Sequence, residues 1–470
     1  MSKIKILFFS ILLASTLISM AQVAKKPNVI IVFNDDMGYQ DLGCYGSPNI
    51  NTPRIDQLAK EGMMFTDFYV ASSVCSASRA SLLTGCYPQR VGIAGVLSPG
   101  TKVGLNPKYV TIAEVLKSSG YATAAVGKWH LGESLKFLPI NQGFDSYFGI
   151  PYSNDMFPSK GMKYANNCLY REGFDVKKIE EIFATMGSDE KQPMAAKNKV
   201  PLMQNDECIE FPVDQTTITK RYADESIKFI KKSVQENKPF FLYLANNMPH
   251  TPLYASPEFV GKSKRGLYGD VVEELDFNTG RILDLLKELN IDKNTIVIFS
   301  SDNGHWLAKG KDSGSALPLF EGKFTSFEGG MRVPCFVRWP SKIKAGSTCK
   351  TIASSLDILP TLAAAAGAKL TDAVIDGKDV LDLWTGKLGV KPSHENLFMV
   401  LNGEAVRSGD WKYHKKQFYT VSKKVRKELG PALYNLKDDI GETKNLIDQH
   451  PEIAAEMAIA LEAHLERIKQ

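Results

Sequence analysis

The chain has 470 residues, 44% of them apolar and 23% charged, which excludes a disordered or fibrous protein and leaves ample material for a large buried core. Its net charge of +5 is scattered, with no dense basic tract ahead of Lys423-Lys424-Val425-Arg426-Lys427, so nothing marks a nucleic-acid partner. Seven cysteines are an odd number, so at least one cannot pair within the chain, and spacing alone does not say which.

The N-terminus carries Lys3 and Lys5, then an apolar run from Ile6 to Met20, with small residues at Ser19 and Ala21. This is the pattern of a signal peptide cleaved after Ala21. The run is short for a membrane span, and no comparable run follows. The first cysteine is Cys44, so none stands at the cleavage point to carry a lipid. The expectation is a periplasmic or secreted protein, free of the membrane once cleaved.

Residues 27–33 (PNVIIVF) form a continuous β-branched run, the mark of a buried parallel strand, and stop at Asp35-Asp36. Thr52-Pro53 opens a helix predicted to reach Glu61. Residues 74–85 (VCSASRASLLTG) read as a short helix with Cys75 at its positive end and Gly85 as its stop. A helix over 111–120 precedes a strand over 121–127, which ends in Lys128-Trp129-His130. Residues 151–216 show no sustained period and read as a long irregular excursion of the functional kind. A helix over 218–236 leads to a strand over 240–245 and then to His250. A helix over 268–289 leads to a strand over 295–300 and then to Asp302-Asn303. After Gly386 the pattern changes to short strands and a closing helix over 451–468, a small α+β appendage.

Helices alternating with apolar strands predict a doubly wound, mainly parallel α/β sheet, whose ligand site lies beyond the carboxyl ends of its strands. Four strands run directly into polar residues there: Asp35/Asp36, Lys128/His130, His250 and Asp302/Asn303. An all-oxygen set suits a hard cation, Ca²⁺ or Mg²⁺. Together with Arg79 and with Lys323 in a glycine-rich loop, these groups could clamp a tetrahedral oxyanion, sulfate or phosphate. His305, His394, His414, His450 and His464 are read as structural or surface residues.

Cys75-Ser76-Ala77-Ser78-Arg79 with Leu83-Thr84-Gly85 resembles the signature of the type I sulfatases. The resemblance continues through PNVIIVFNDDMGYQDLGCYG, GYATAAVGKWHLG, the segment ending at His250, SDNG, the Lys323 loop through GGMRVP, and RSGDWKY. It implies an alkaline-phosphatase-like fold, divided into a signal peptide (1–21), a catalytic α/β domain (22–386) and a C-terminal α+β subdomain (387–470). It implies that Cys75 is oxidised to formylglycine, whose hydrate is the nucleophile, polarised by Ca²⁺ (Mg²⁺ as second choice) and by Arg79. Asp35, Asp36, Asp302 and Asn303, with residue 75, would hold the metal. Lys128 and Lys323 would bind sulfate oxygens, His250 would protonate the leaving oxygen, and His130 would take the proton that releases sulfate.

Ala77 stands where many members have proline, which resembles the bacterial cysteine type matured by a radical enzyme, so a maturation enzyme is an expected partner. Residues 149–156 (GIPYSNDM) are similar to arylsulfatase A and N-acetylgalactosamine-6-sulfatase relatives, and the expected substrate is therefore a sulfated galactose or N-acetylgalactosamine in a host or algal glycan. Asn154, Asp155, Asn402 and Glu404 are candidate sugar contacts. A phosphatase or phosphonate hydrolase of the same superfold is the alternative, and a glycan-binding relative without activity is a third reading.

Overall fold

The four apolar runs that the sequence marks as strands become neighbours. In the computed structural model, which describes residues 25–185, 196–370, 374–387, 389–400, 404–422 and 425–468, they lie in the order Thr295–Ser301, Asn28–Asn34, Phe240–Ala245, Ala122–Gly127, all parallel. The expected signal peptide and Asn402 lie outside the described residues. Every residue of the first three strands is buried. Successive side chains point to opposite faces of a sheet, so each run feeds two cores. Val29, Ile31, Phe33, Phe241 and Ile298 join Leu82, Leu83, Leu116 and Leu362 on one face. Ile30, Val32, Leu242, Leu244 and Val297 join Ile55, Leu58, Tyr222, Leu275 and Ile282 on the other. Helices therefore cover both faces, which is why these strands carry no polar alternation.

The sheet has 11 strands. Beyond Thr295–Ser301 come Cys335–Arg338 and Met63–Phe65, each antiparallel to its neighbour, then Ser347–Cys349. Beyond Ala122–Gly127 come Ser146–Gly149, Leu202–Gln204, Glu207–Phe211 and Tyr164–Tyr170. The last three correct the expectation that 151–216 is irregular. They are short, and Tyr164–Tyr170 is half exposed at the sheet edge. An edge strand has one covered flank and little apolar demand, so it leaves no continuous run to read. Cys168 and Cys208 face each other across two of these strands, with sulfurs 4.0 Å apart.

The appendage is an antiparallel sheet of Leu397–Val400, Glu404–Ser408, Trp411–Ser422 and Val425–Leu429, with Ala432–Asn435 on the other side of Trp411–Ser422. The helix Pro451–Arg467 packs on it through Ala454, Met457 and Leu461. A buried ionic network joins it to the main sheet. Glu328, which follows the Lys323 loop, accepts Lys412 at 2.9 Å and meets Arg332 at 3.3 Å, while Lys412 also reaches Glu442 at 3.0 Å. Burial would raise the Glu328 carboxyl, yet Lys412, Arg407 and Arg332 hold it at about 2.

Removing one partner of such a network strands the other charges in a dry interior. Glu328→Ala is expected to cost roughly 3–5 kcal/mol of stability, read as a lowered denaturant midpoint. A change within about 0.5 kcal/mol, the usual size for a surface site, would show that the network does not hold the two sheets together.

Candidate active site

The strand ends deliver their polar residues because the backbone turns sharply there. Gly127 has φ +114°, and a Cβ on it would lie 1.9 Å from the Ala245 carbonyl oxygen, so only glycine fits. The next residue, Lys128, donates its N–H to that same oxygen at 2.7 Å, which fixes where its side chain departs. Asp36 and His130 hold left-handed backbone conformations, with φ of 63° and 60°. Non-glycine residues in that region are costly and concentrate at functional sites. The Asp302 N–H donates to the Asn34 carbonyl at 2.9 Å, so two adjacent strand ends present their acids side by side.

The helix Cys75–Thr84 starts beneath this cluster and stops at Gly85, whose φ of 66° is the left-handed cap expected for it. Cys75 is buried, and one ligand atom from each of Asp35, Cys75 and Asp302 lies within 4.8 Å of the others. Arg79, one turn along, donates from Nε and Nη2 to Asp302 Oδ2 at 3.0 and 2.7 Å, and from Nη1 to the Lys128 carbonyl at 3.2 Å. Lys128 Nζ donates to Asp35 Oδ2 at 2.6 Å. Lys323 Nζ donates to Asp36 Oδ1 at 2.6 Å and stands 3.9 Å from Cys75 Sγ. Asn303 Nδ2 donates to Asp36 Oδ1 at 2.7 Å. The fold thus brings together Asp35, Asp36, Asp302, Asn303, Arg79, Lys128 and Lys323, while Glu404, a candidate sugar contact, instead pairs with Lys415 and Lys416.

Three buried carboxylates face three buried cations. Burial alone would raise Asp35, but Lys128, Arg79 and Lys323 hold it well below the usual range. Burial pushes Asp36 up against the pull of Lys323. Burial and the Asp35 charge push Asp302 to about 7 in spite of Arg79. The protein's own cations therefore leave part of the negative charge poorly compensated. Asp35 Oδ1, Asp36 Oδ2 and Asn303 Oδ1 are buried oxygens with no hydrogen-bond donor. Oxygens held this way fit a hard divalent cation, and so does the donor chemistry. Cys75 completes the picture: burial raises its thiol against Lys128 and Lys323, so as a thiol it would stay protonated and be a weak nucleophile.

The two histidines have defined roles for their nitrogens. His130 Nε2 lies 2.9 Å from the Leu97 carbonyl, an obligate acceptor, so Nε2 carries the hydrogen and Nδ1 is left with a lone pair and no partner. Asn154 Nδ2 donates to the Pro252 carbonyl at 2.9 Å and to Gln215 Oε1 at 3.2 Å. Its Oδ1 therefore faces His250 Nδ1, at 3.0 Å, and that nitrogen is the donor. Gln215 is fixed in turn, because its Nε2 donates to the Asn154 and Asn198 carbonyls at 3.0 and 3.1 Å. His250 Nε2 is left as the acceptor nitrogen, 3.4 Å from Ser153 Oγ and 3.8 Å from Asp36 Oδ2. Burial together with nearby cations keeps both rings neutral: Lys128 beside His130, and Lys323 beside His250.

Asn154 is fully buried, which corrects its reading as a sugar contact: it binds His250 instead. Ser153, whose Oγ lies 3.4 Å from both Lys128 Nζ and His250 Nδ1, and Gln215 are site residues that sequence reasoning missed. A serine in a loop and a glutamine at a helix start carry no pattern that would have found them. His394 pairs with Asp357 at 2.7 Å, His414 with Glu442 at 2.8 Å, and His464 stacks on Phe398 at 3.8 Å, all structural as expected.

The family described as Sulfatase matches residues 27–368, and the family described as N-sulphoglucosamine sulphohydrolase, C-terminal matches residues 318–470. The chain belongs to the sulfatase family. Arylsulfatase A of Bos taurus is 37% identical over 470 residues, covering 95% of this chain and 88% of that protein. N-acetylgalactosamine-6-sulfatase of Sus scrofa is 38% identical over 380 residues, covering 78% and 68%. The crystal structure of Ps i-CgsB in complex with k-i-k-neocarrahexaose shares 31% identity and a TM-score of 0.76, covering 93% of this chain and 92% of that one. The protein is a sulfuric ester hydrolase with an alkaline-phosphatase-like sulfatase fold, as its motifs led one to expect.

Proposed function

We propose that this sulfatase removes sulfate from a sulfated sugar, a galactose or N-acetylgalactosamine unit of a glycan, outside the cytoplasm. The observation that carries the catalytic part is the buried Cys75 among Asp35, Asp302 and three cations, with oxygens of Asp35, Asp36 and Asn303 left without donors. The carbohydrate part is supported by two proteins this chain is similar to: one is an N-acetylgalactosamine-6-sulfatase, and one was solved with a neocarrahexaose. The signal-peptide pattern of residues 1–21 supports export.

In this reading residue 75 is formylglycine, made by a maturation enzyme, and Asp35, Asp36, Asp302 and Asn303 hold Ca²⁺. When present, the aldehyde hydrate supplies a nucleophilic oxygen and the cation supplies positive charge for the sulfate. The chain's own charges then decide what binds. Arg79, Lys128 and Lys323 balance the three carboxylates, so a bound divalent cation leaves the site positive and selective for an anion. Lys128 and Lys323 are placed to turn toward sulfate oxygens from the carboxylates they now hold. His250 presents Nε2 to the leaving oxygen, and the negative charge of a bound sulfate ester favours its protonation. His130, with its Nδ1 lone pair, is the base on the other side of the reaction. Asn154 and Gln215 hold His250 in the orientation that this transfer needs.

Two measurements check the reading. Mass spectrometry of the Cys75 peptide from the native host is expected to show the thiol exchanged for an aldehyde; an intact thiol in active protein would favour a phosphatase-like mechanism. Asn154→Ala is expected to lower kcat on a sulfated sugar by about 10–100-fold, as a misaligned acid should. It should change kcat on 4-nitrophenyl sulfate far less, since that leaving group needs no proton. Equal losses on both substrates would show that Asn154 only supports the fold.

A further inference from the structure

Beside the buried cluster, two aromatic side chains keep part of their surface in solvent. Trp306 and Phe324 are only partly buried, whereas Cys75, Lys128, His130, Ser153, Asn154, His250 and Lys323 are all buried. Trp306 neighbours both His250, on the leaving side of the proposed reaction, and Lys323. Its ring centre is 5.4 Å from that of His250 and 5.0 Å from Lys323 Nζ. Phe324 stands edge-on to it at 5.5 Å, and its own ring is also 5.5 Å from Lys323 Nζ. The Lys309 ammonium rests on the indole at 3.9 Å, a cation–π contact that holds the ring in place.

Phe324 adopts φ +73° and its N–H donates to the Ser73 carbonyl at 2.9 Å, two residues before Cys75. A bulky residue held in the left-handed region is strained, and strain of this kind persists where the surroundings enforce it. Here it places a partly exposed aromatic ring directly after Lys323. Trp306 likewise follows the metal-side sequence Asp302-Asn303-Gly304-His305 with no intervening element. Both aromatics are thus fixed to residues that meet the reacting sulfate.

If His250 Nε2 meets the leaving oxygen, the ring bearing that oxygen must lie against whatever flanks His250 on the open side. That neighbour is Trp306. We propose that Trp306, braced by Phe324 and Lys309, is the platform for the pyranose ring that carries the scissile sulfate, packing its indole against an apolar C–H face of the sugar. This inference rests on the carbohydrate sulfatase reading above and names the residues that bind its sugar. Sulfate itself would still be held by Lys128 and Lys323, so sugar binding and sulfate binding are separable.

The test uses the full-length matured enzyme, wild type, Trp306→Ala and Trp306→Phe. Each is assayed on a panel of 4- and 6-sulfated galactose and N-acetylgalactosamine and on 4-nitrophenyl sulfate, with inorganic sulfate as a competing ligand. Trp306→Ala is expected to raise KM for the cleaved sugar by about 10-fold, the scale of one lost aromatic contact. The Ki of inorganic sulfate should stay within about twofold, and Trp306→Phe should recover most of the affinity. Unchanged kinetics on the sugar would overturn the proposal. So would parallel loss of sugar and sulfate affinity, which would mean that Trp306 merely props Lys323 and His250. If wild type cleaves 4-nitrophenyl sulfate but no sugar of the panel, the carbohydrate reading itself falls, and the platform with it. Melting temperatures of the variants close to wild type confirm that the comparison is made on folded protein.

Discussion

Three carboxylates, Asp35, Asp36 and Asp302, are brought into one dry space, and each ion removed from water costs several kcal/mol unless compensated. Much of the surrounding structure can be traced to this constraint. Arg79 sits one turn into its helix to reach Asp302 with two nitrogens, Lys128 leaves its strand at a glycine-only turn to reach Asp35, and Lys323 comes in on a loop to reach Asp36. The three cations neutralise the acids in number but leave oxygens of Asp35 and Asp36 without donors. Such a charge balance fits a divalent cation, which would leave the site positive toward an anionic ester.

The same residues serve stability and chemistry. Lys128 and Lys323 hold acids in this structure, and the proposed reaction has them turn to sulfate oxygens. His130 and His250 are kept neutral and given fixed tautomers by a backbone carbonyl and by Asn154. Preorganisation of this kind lets a site act on charge as it develops without paying for rearrangement at that moment. The segment 151–216 matters because its loops carry Ser153, Asn154 and Asn198 and a helix start carries Gln215, and these fix His250 from the far side.

Much of this was legible in the sequence, for identifiable reasons. The central strands are buried on both faces, so they appear as unbroken apolar runs, and the polar residues after them stand out by contrast. Cys75, Arg79 and Gly85 announce the helix that carries the nucleophile position. Tyr164–Tyr170 and its neighbours were not legible, because a half-exposed edge strand needs no apolar run. Asn154 was read as a sugar contact because polarity in a loop suggests solvent. Its burial depends on Pro252, Gln215 and His250 arriving from up to 98 positions away. Trp306 and Phe324 were not legible either, since an aromatic residue in sequence does not reveal whether it is core or partly exposed.

In the proposed reaction, Asp35, Asp36, Asp302 and Asn303 hold one calcium ion, and three of these residues keep an oxygen without a donor for it. Metal analysis of the extensively dialysed protein, by mass spectrometry of the released ions, tests it most directly. One calcium per chain in the wild type, lost in Asp302→Asn with sulfate-ester hydrolysis lost alongside, is the predicted result. Wild-type protein that hydrolyses sulfate esters at full rate with no divalent metal bound would contradict the account.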